Sequence, residues 1–177
     1  MADHADPTTN SAADPTREIR WLDEDEQRVW RSYVSATNRL TDHLDRQLQR
    51  DSAMPHTYYE ILVALADAPD RTLRMSQLAG LRDSSRSRLS HAVARLEQVG
   101  WVVRRQCPTD RRGALAELTG EGFAALAAAA PGHVTAVREK LFDALTPEQV
   151  RSLGEICRAI LAGLDDGQPT RESGDAS

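Results

Sequence analysis

The chain is 177 residues long, 40% apolar and 28% charged, with two cysteines and a formal net charge of −5. That size fits one domain with room for a sizeable core, and Cys107 and Cys157, too few and too far apart for a CxxC pair, exclude a disulfide-stapled scaffold and point to a reducing compartment. The longest apolar run, Phe123 to Ala130, stops at Pro131, far short of the ~20 residues that cross a bilayer, and the opening MADHADPTTNSAADP has neither the basic start nor the apolar stretch of a signal peptide, so a cytoplasmic protein is expected.

Residues 1–20 are rich in Ala, Asp, Pro, Thr and Asn without periodicity, and residues 166–177 (DGQPTRESGDAS) are similar, so both read as disordered tails around a single domain at 21–165. The first helix is expected over about Asp23 to Arg50, with Val29, Trp30, Tyr33, Leu40, Leu44 and Leu48 at helical spacing. Its acidic start, LDEDEQ, suits the positive end of the helix dipole. Pro55 opens a second helix, PHTYYEILVALADA, which ends before Pro69. A short extended stretch at Thr72 to Arg74 leads to a third helix near Ser76 to Arg82. A fourth runs from Ser85 to Val99 and is stopped by Gly100.

There the period changes from helical to alternating. Trp101 to Gln106 and Ala114 to Leu118 read as two strands joined by the turn-rich CPTDRRG. Thr119 starts an Ala-rich helix that Pro131-Gly132 is expected to kink, because proline removes a backbone donor. Thr146-Pro147-Glu148-Gln149 carries the signature of a capped helix start, and Val150, Leu153, Ile156, Cys157, Ile160 and Leu164 line one side of that last helix. The expected fold is mainly α with a small β wing: a winged helix-turn-helix over residues 55–118, with a helical dimerisation region at 21–50 and 119–165.

The net charge of −5 seems to argue against a polyanionic partner, but it is unevenly spread. Arg71 to Gly113 holds ten arginines and three acids and sums to +7, while the remainder sums to −12. A basic block inside an acidic chain is the footprint of a nucleic-acid reader. Lys140 is the sole lysine, and arginine presents phosphate or guanine with a bidentate fork.

At ~100° per residue, Leu89, Ala92, Val93, Leu96 and Val99 share one arc of the fourth helix and form its expected buried face. Ser87, Ser90, His91, Ala94 and Gln98 lie opposite, flanked by Arg86, Arg88 and Arg95, with Ser84 and Ser85 at the N-terminus. Short polar side chains let a helix enter the major groove, where Ser and His can bond base edges and Arg can hold guanine or phosphate. Arg104, Arg105, Arg111 and Arg112 flank the expected wing turn, which also carries Asp110, and an arginine there can enter the narrow, negative minor groove.

The segment Leu73-Arg-Met-Ser-Gln-Leu-Ala79, the helix Ser85 to Glu97, Gly100-Trp-Val and Asp110-Arg-Arg-Gly-Ala-Leu-Ala-Glu-Leu-Thr-Gly-Glu-Gly122 together resemble the MarR family of bacterial transcriptional regulators, over roughly Asp23 to Leu164. The resemblance implies an obligate homodimer formed by the first helix and the last two, docking two winged helices on a pseudo-palindromic site in double-stranded DNA. It implies that Arg112 is the minor-groove arginine, that Asp110 orients it, and that the fourth helix reads the major groove. It further implies a repressor, cytoplasmic and nucleoid-associated, that releases DNA when a small aromatic or lipophilic effector binds between the dimer helices and the reading heads. Trp30, Tyr33, Tyr58 and Tyr59, with His56 or an arginine as a polar anchor, are the candidate pocket.

No Gly-rich phosphate loop, HExxH or nucleophile turn argues for an enzyme, and no cofactor or metal is expected. The alternative is a metal- or redox-responsive regulator of the same fold, through Asp42, His43 and His133 or through Cys107. Against it, no i, i+4 ligand pair is present, and no resolving cysteine lies near Cys107. Cys157 is expected to pack on its helix's apolar stripe.

Overall fold

A computed structural model of the chain describes residues 19–80, 86–107 and 110–165, without the side chains of Arg86, Arg111, Arg112 and Asp165. Ser84, Ser85, Leu81, Arg82 and nearly all of both expected tails lie outside the described residues. The chain falls into two units, Met1–Thr37 and Asn38–Ser177. Helix α1 (Glu24–Ser52) begins in the first and ends in the second.

In the first unit, Asp23 and Glu26 form a reciprocal cap. The Glu26 N–H donates to Asp23 Oδ1 at 2.8 Å, and the Asp23 N–H donates to Glu26 Oε2 at 3.0 Å. This satisfies two donors that an α-helix start leaves open. Trp21, Leu22, Val29, Trp30 and Tyr33 are all exposed, and the Trp30 and Tyr33 rings stack at 6.3 Å.

In the second unit, α2 (His56–Ala66), α3 (Met75–Gly80), α4 (Arg86–Gln98) and α5 (Gly120–Lys140) surround a sheet of β1 (Thr72–Arg74), β2 (Val102–Cys107) and β3 (Asp110–Leu118). The core joins Leu48 and Met54 to Ile61, Leu62 and Leu65 of α2, Leu78 of α3, Leu89, Val93 and Leu96 of α4, and Leu126 of α5. The start of α2 is held from another helix, because its His56 N–H donates to Asp45 Oδ1 of α1 at 2.8 Å.

Two expectations about the wing are corrected. The sheet has three strands in the order β1-β3-β2, not two, with Leu73 facing Ala116 and Arg104 facing Ala116 from the other side. The third strand is the extended stretch expected at Thr72 to Arg74, which pairs with Leu115 to Glu117 of β3. The expected turn is also shorter than CPTDRRG, since β3 begins at Asp110. Gln106 faces Ala114 and the next residue, Cys107, faces Asp110, so Arg111, Arg112 and Gly113 form an irregularity in β3. Such bulges re-aim side chains at strand ends.

The segment from Leu118 to Gly122 locks the wing to α5. Thr119 caps that helix, its hydroxyl accepting from the Gly122 N–H at 3.0 Å and donating to the Gly100 carbonyl at 2.7 Å. A Cβ on Gly122 would stand 2.2 Å from the Trp101 carbonyl oxygen, so only glycine fits. Gly100 ends α4 with φ +79°, and Trp101 and Gly100 donate to the Leu96 and Glu97 carbonyls. This paired closure is the usual way a glycine terminates a helix.

Val99 is a further correction: it lies beyond the last turn of α4 and is exposed, not part of the buried arc. Pro131 and Gly132 stand inside one helix, α5. A Cβ on Gly132 would come within 3.1 Å of the Gln47 amide, so the glycine admits close approach of α1 and α5. Helix α6 (Pro147–Asp165) has the expected cap, with the Thr146 N–H donating to Gln149 Oε1 at 2.9 Å and the Gln149 N–H to Thr146 Oγ1 at 3.3 Å. Its apolar side chains Ile156, Ile160, Leu161 and Leu164 are exposed, and so is Cys157, which does not pack within this chain. Among the described residues no helix is long and apolar enough to cross a membrane.

Candidate nucleic-acid interface

Helix α4 has two clean faces. Leu89, Ala92, Val93 and Leu96 are buried, as their spacing predicts, and Ser87, Arg88, Ser90, His91, Arg95 and Gln98 are exposed on the other side. The polar face is therefore available along the helix while the apolar one anchors it. Arg95 Nη1 donates to Gln98 Oε1 at 2.9 Å, which orders that arginine along the helix surface. Arg86 lies at the start of α4, and Arg111 and Arg112 lie in the β3 irregularity. Asp110 is exposed and its carboxylate stands over the Gly113 backbone, 3.0 Å from where a Cβ there would sit.

Not every arginine of the basic block faces outward as an open charge. Arg71 lies over the Phe123 ring, 3.9 Å from its centroid, tying the approach to β1 onto α5 by a cation–π contact. Arg105 is ion-paired with Glu117 of β3, which faces Val103, two residues before Arg105 on β2. Arg104, expected beside the wing turn, is instead drawn against α4: its Nε lies 2.7 Å from Glu97 Oε2 and its Nη2 donates to the Ser90 carbonyl at 3.1 Å. Glu97 thus holds an arginine and does not simply oppose the helix's positive charge. The +7 of the sequence count overstates the open field, because Glu117 lies beyond the counted stretch.

A hollow of about 370 Å³ opens between α3, α4 and the wing, walled by Arg74, Ser76, Ser90, Arg104, Asp110 and Gly113. A second, of about 490 Å³, lies beside α2 and α5 and is lined by His56, Tyr59, Glu60, Val63, Leu73 and His133 among others. Tyr59 is buried, with its ring 4.3 Å from His133, and the His56 and His133 rings are 5.6 Å apart. His56 Nδ1 stands 3.4 Å from Glu60 Oε2. Burial, then the neighbouring His56, hold the His133 pKa below its ordinary value, with Glu60 acting in the opposite direction. Burial raises that of Tyr59.

Of the five candidate pocket residues, His56 and Tyr59 line this hollow, while the half-buried Tyr58 packs on the core. Trp30 and Tyr33 stand in the first unit. Glu60 and His133 are the lining residues that sequence reasoning did not group with the pocket. His56 and Glu60 do stand at i, i+4, which corrects the expectation that no such pair is present and was a readable signal, whereas His133, 77 positions beyond His56, had none.

His43 lines a different depression, beside Gln47 and Glu139. Among the described residues no three His, Cys, Asp or Glu side chains stand together as a metal site. Cys107 is buried, which withdraws it from the solvent access that a redox-sensing thiolate requires.

Residues 54–113 match the profile of the MarR family. The chain is similar to Sco3205, a MarR family transcriptional regulator from Streptomyces coelicolor whose crystal structure was solved in complex with DNA. The two share 59% identity over 87% of this chain and 94% of that one, with a TM-score of 0.81. AbsC, a MarR family transcriptional regulator from the same organism, is 37% identical over 84% of this chain and 99% of its own, with a TM-score of 0.78. The transcriptional repressor MprA of Escherichia coli K12 is 26% identical over 128 residues, 72% of each chain.

Proposed function

Because the chain belongs to the MarR family and is a DNA-binding transcriptional regulator, not an enzyme, we propose that it represses transcription as a homodimer that docks two winged helices on a pseudo-palindromic operator. The observation that carries this reading is the division of α4 into a buried apolar face and an exposed face of Ser87, Arg88, Ser90, His91 and Arg95. In this reading that face, continued by Ser84, Ser85 and Arg86, enters the major groove. Arg112, oriented by Asp110 and aided by Arg111, enters the minor groove. MprA and the YetL protein of Bacillus subtilis, both named repressors, support the sign of regulation.

The exposed apolar side chains of Trp21, Leu22, Val29 and Trp30 in one unit, and of Ile156, Ile160, Leu161 and Leu164 in the other, support homodimerisation. Faces of that kind need a partner in a soluble protein. The 490 Å³ hollow at His56, Tyr59 and His133 supports a small aromatic effector, since it combines ring surfaces with a few polar atoms. Trp30, Tyr33 and Tyr58 are proposed as further effector contacts.

The test is a selection of duplexes from a random pool by the purified protein, followed by titration of variants on the selected duplex. Arg112→Ala should weaken binding and reduce the salt slope by about one phosphate. Ser87→Ala and His91→Ala should instead relax base preference, at ~1–3 kcal/mol per lost contact. Equal losses on selected and random duplexes for all three would refute the division of roles, and a monomer in sedimentation at micromolar concentration would refute the dimer.

A further inference from the structure

Arg104 of the basic block is held against α4 at two of its residues. It sits on β2, an edge strand of the sheet, and makes three contacts to the neighbouring helix α4. Its backbone N–H donates to Glu97 Oε1 at 3.1 Å, its Nε pairs with Glu97 Oε2 at 2.7 Å, and its Nη2 donates to the Ser90 carbonyl at 3.1 Å. Ser90 and Glu97 are seven residues apart, about two helical turns, so one guanidinium grips α4 at two levels.

Both side chains are only about one-third exposed, 33% for Arg104 and 34% for Glu97. Solvent and salt therefore screen this pair less than a fully exposed one. The fork of a guanidinium is what allows both contacts at once.

The surroundings give this grip a consequence. The hollow of about 370 Å³ lies between α3, α4 and the wing's Asp110, Gly113 and Ala114, whereas Val102, Ala116 and Leu118 of the same strands pack with Leu89, Val93 and Leu96 in the core, so the turn end is the less firmly packed part of the wing. Arg104 lies on the wall of that hollow and spans from β2 to α4. Ser90, whose carbonyl it holds, presents its side chain on the exposed polar face.

We propose that Arg104 is a positioning residue, a strut that with Glu97 sets the wing at one angle to α4, so that both reach the same DNA site in register. Operator discrimination depends on it, and phosphate neutralisation does not. This rests on the reading that α4 and the wing dock together on DNA. It assigns Arg104 a role different from that of Arg112: one fixes geometry, the other touches the groove.

The experiment uses the full chain and two probes: a duplex selected from a random pool by the wild-type protein, and a scrambled duplex of the same composition. Dissociation constants are measured from 50 to 200 mM salt for Arg104→Gln, Arg104→Lys, Glu97→Gln and the double variant Arg104→Gln/Glu97→Gln, with Ser87→Ala and Arg112→Ala alongside and thermal unfolding recorded for each. Arg104→Gln and Glu97→Gln should each weaken the selected duplex about tenfold, the order of one lost specific contact, with an unchanged salt slope and unchanged affinity for the scrambled duplex. The double variant should be no worse than either single one, since the pair acts as a unit, and Arg104→Lys should not rescue, because an ammonium keeps the charge but loses the fork.

A slope reduced by about 0.9 for Arg104→Gln, with rescue by lysine, would overturn the strut in favour of a phosphate contact. Tighter binding by Glu97→Gln, or a lowered melting temperature with no change in affinity, would overturn it as well. If Ser87→Ala and Arg112→Ala also left the selected duplex bound as tightly as before, the docking reading would fall and the strut with it. Loss in those two with none in the Arg104 and Glu97 variants would sink the strut alone.

Discussion

The stretch from Pro55 to Ala129 buries most of its described large apolar side chains within its own unit, Val99, Val103 and Phe123 excepted, with Ile61, Leu62, Leu65, Leu78, Val93 and Leu96 all inaccessible, whereas α6 leaves Ile156 and Leu164 at 55% and 61% exposure. Both stretches have strong helical periodicity, and both have well-made helix ends. The difference is in what lies against the apolar stripe. In the first, four helices, α2 to α5, and a sheet converge on one volume and close it. In the second, the stripe is complete along the helix and its cover must come from elsewhere, which the proposed homodimer would provide. Periodicity states which side of a helix is apolar; it does not state whose atoms will cover that side.

The sharpest way to break this contrast is through two helical glycines. Gly122→Ala should cost about 3 kcal/mol in thermal or urea unfolding, the upper part of the range for overpacking, because its Cβ would meet the Trp101 carbonyl oxygen at 2.2 Å. Gly154→Ala in α6 meets no atom within 4 Å and should be neutral or stabilising by up to about 1 kcal/mol. Equal costs at both positions would show that α6 is packed as tightly as the reading head.

Ile160→Asp probes the open side of the comparison. On an uncovered helix face it should change unfolding stability by under about 0.5 kcal/mol. In a dimer that buries this side chain, it should raise the monomer–dimer dissociation constant by tenfold or more, about 2 kcal/mol. Sedimentation at several concentrations separates these outcomes, and an unaltered dimer would remove α6 from the interface.

Thr119→Ala should cost about 1 kcal/mol. The threonine caps α5 and also holds the Gly100 carbonyl, so the loss should appear in the same cooperative transition as the wing. A capped end that could be removed without cost would show that the wing and α5 are not coupled there.

The smallest effect is one of pH. With its pKa held below the ordinary 6.5 by burial and by His56, His133 binds fewer protons in the native state than in the unfolded chain. Its contribution is therefore constant above pH 6.5 and turns destabilising as the pH falls through that value toward the native pKa. Between pH 7 and 5 the wild type should lose more stability than His133→Gln. An identical decline in both proteins would place the titration elsewhere.

Much of the reading head was legible because each of its signals is local. The faces of α4 follow from one-dimensional spacing, and all but Val99 of its expected buried residues are buried, Val99 lying past the helix end. Gly100 announced the stop, and Thr146 and Gln149 announced a cap that their hydrogen bonds bear out. The Leu118-Thr119 and Gly122 pattern marked a junction whose reason is steric: one position where no Cβ fits and one hydroxyl that serves two segments. The extended stretch at Thr72–Arg74 was legible too, but its place in the sheet of the wing comes only from pairing with Leu115 to Glu117.

The sequence by itself determined the element order, the helix ends, the apolar side of each amphipathic helix and the concentration of arginine between residues 71 and 113. These are properties of neighbouring residues and of their repeat along a helix or strand. Tertiary structure alone decided what each arginine does: Arg71 lies on a ring, Arg105 pairs across a sheet, and Arg104 is turned from the wing onto α4. It alone brought His133 to His56 and Tyr59. A charge count adds residues without regard to direction, while the field and the contacts of a folded chain depend on distances of a few ångströms between positions far apart in the sequence.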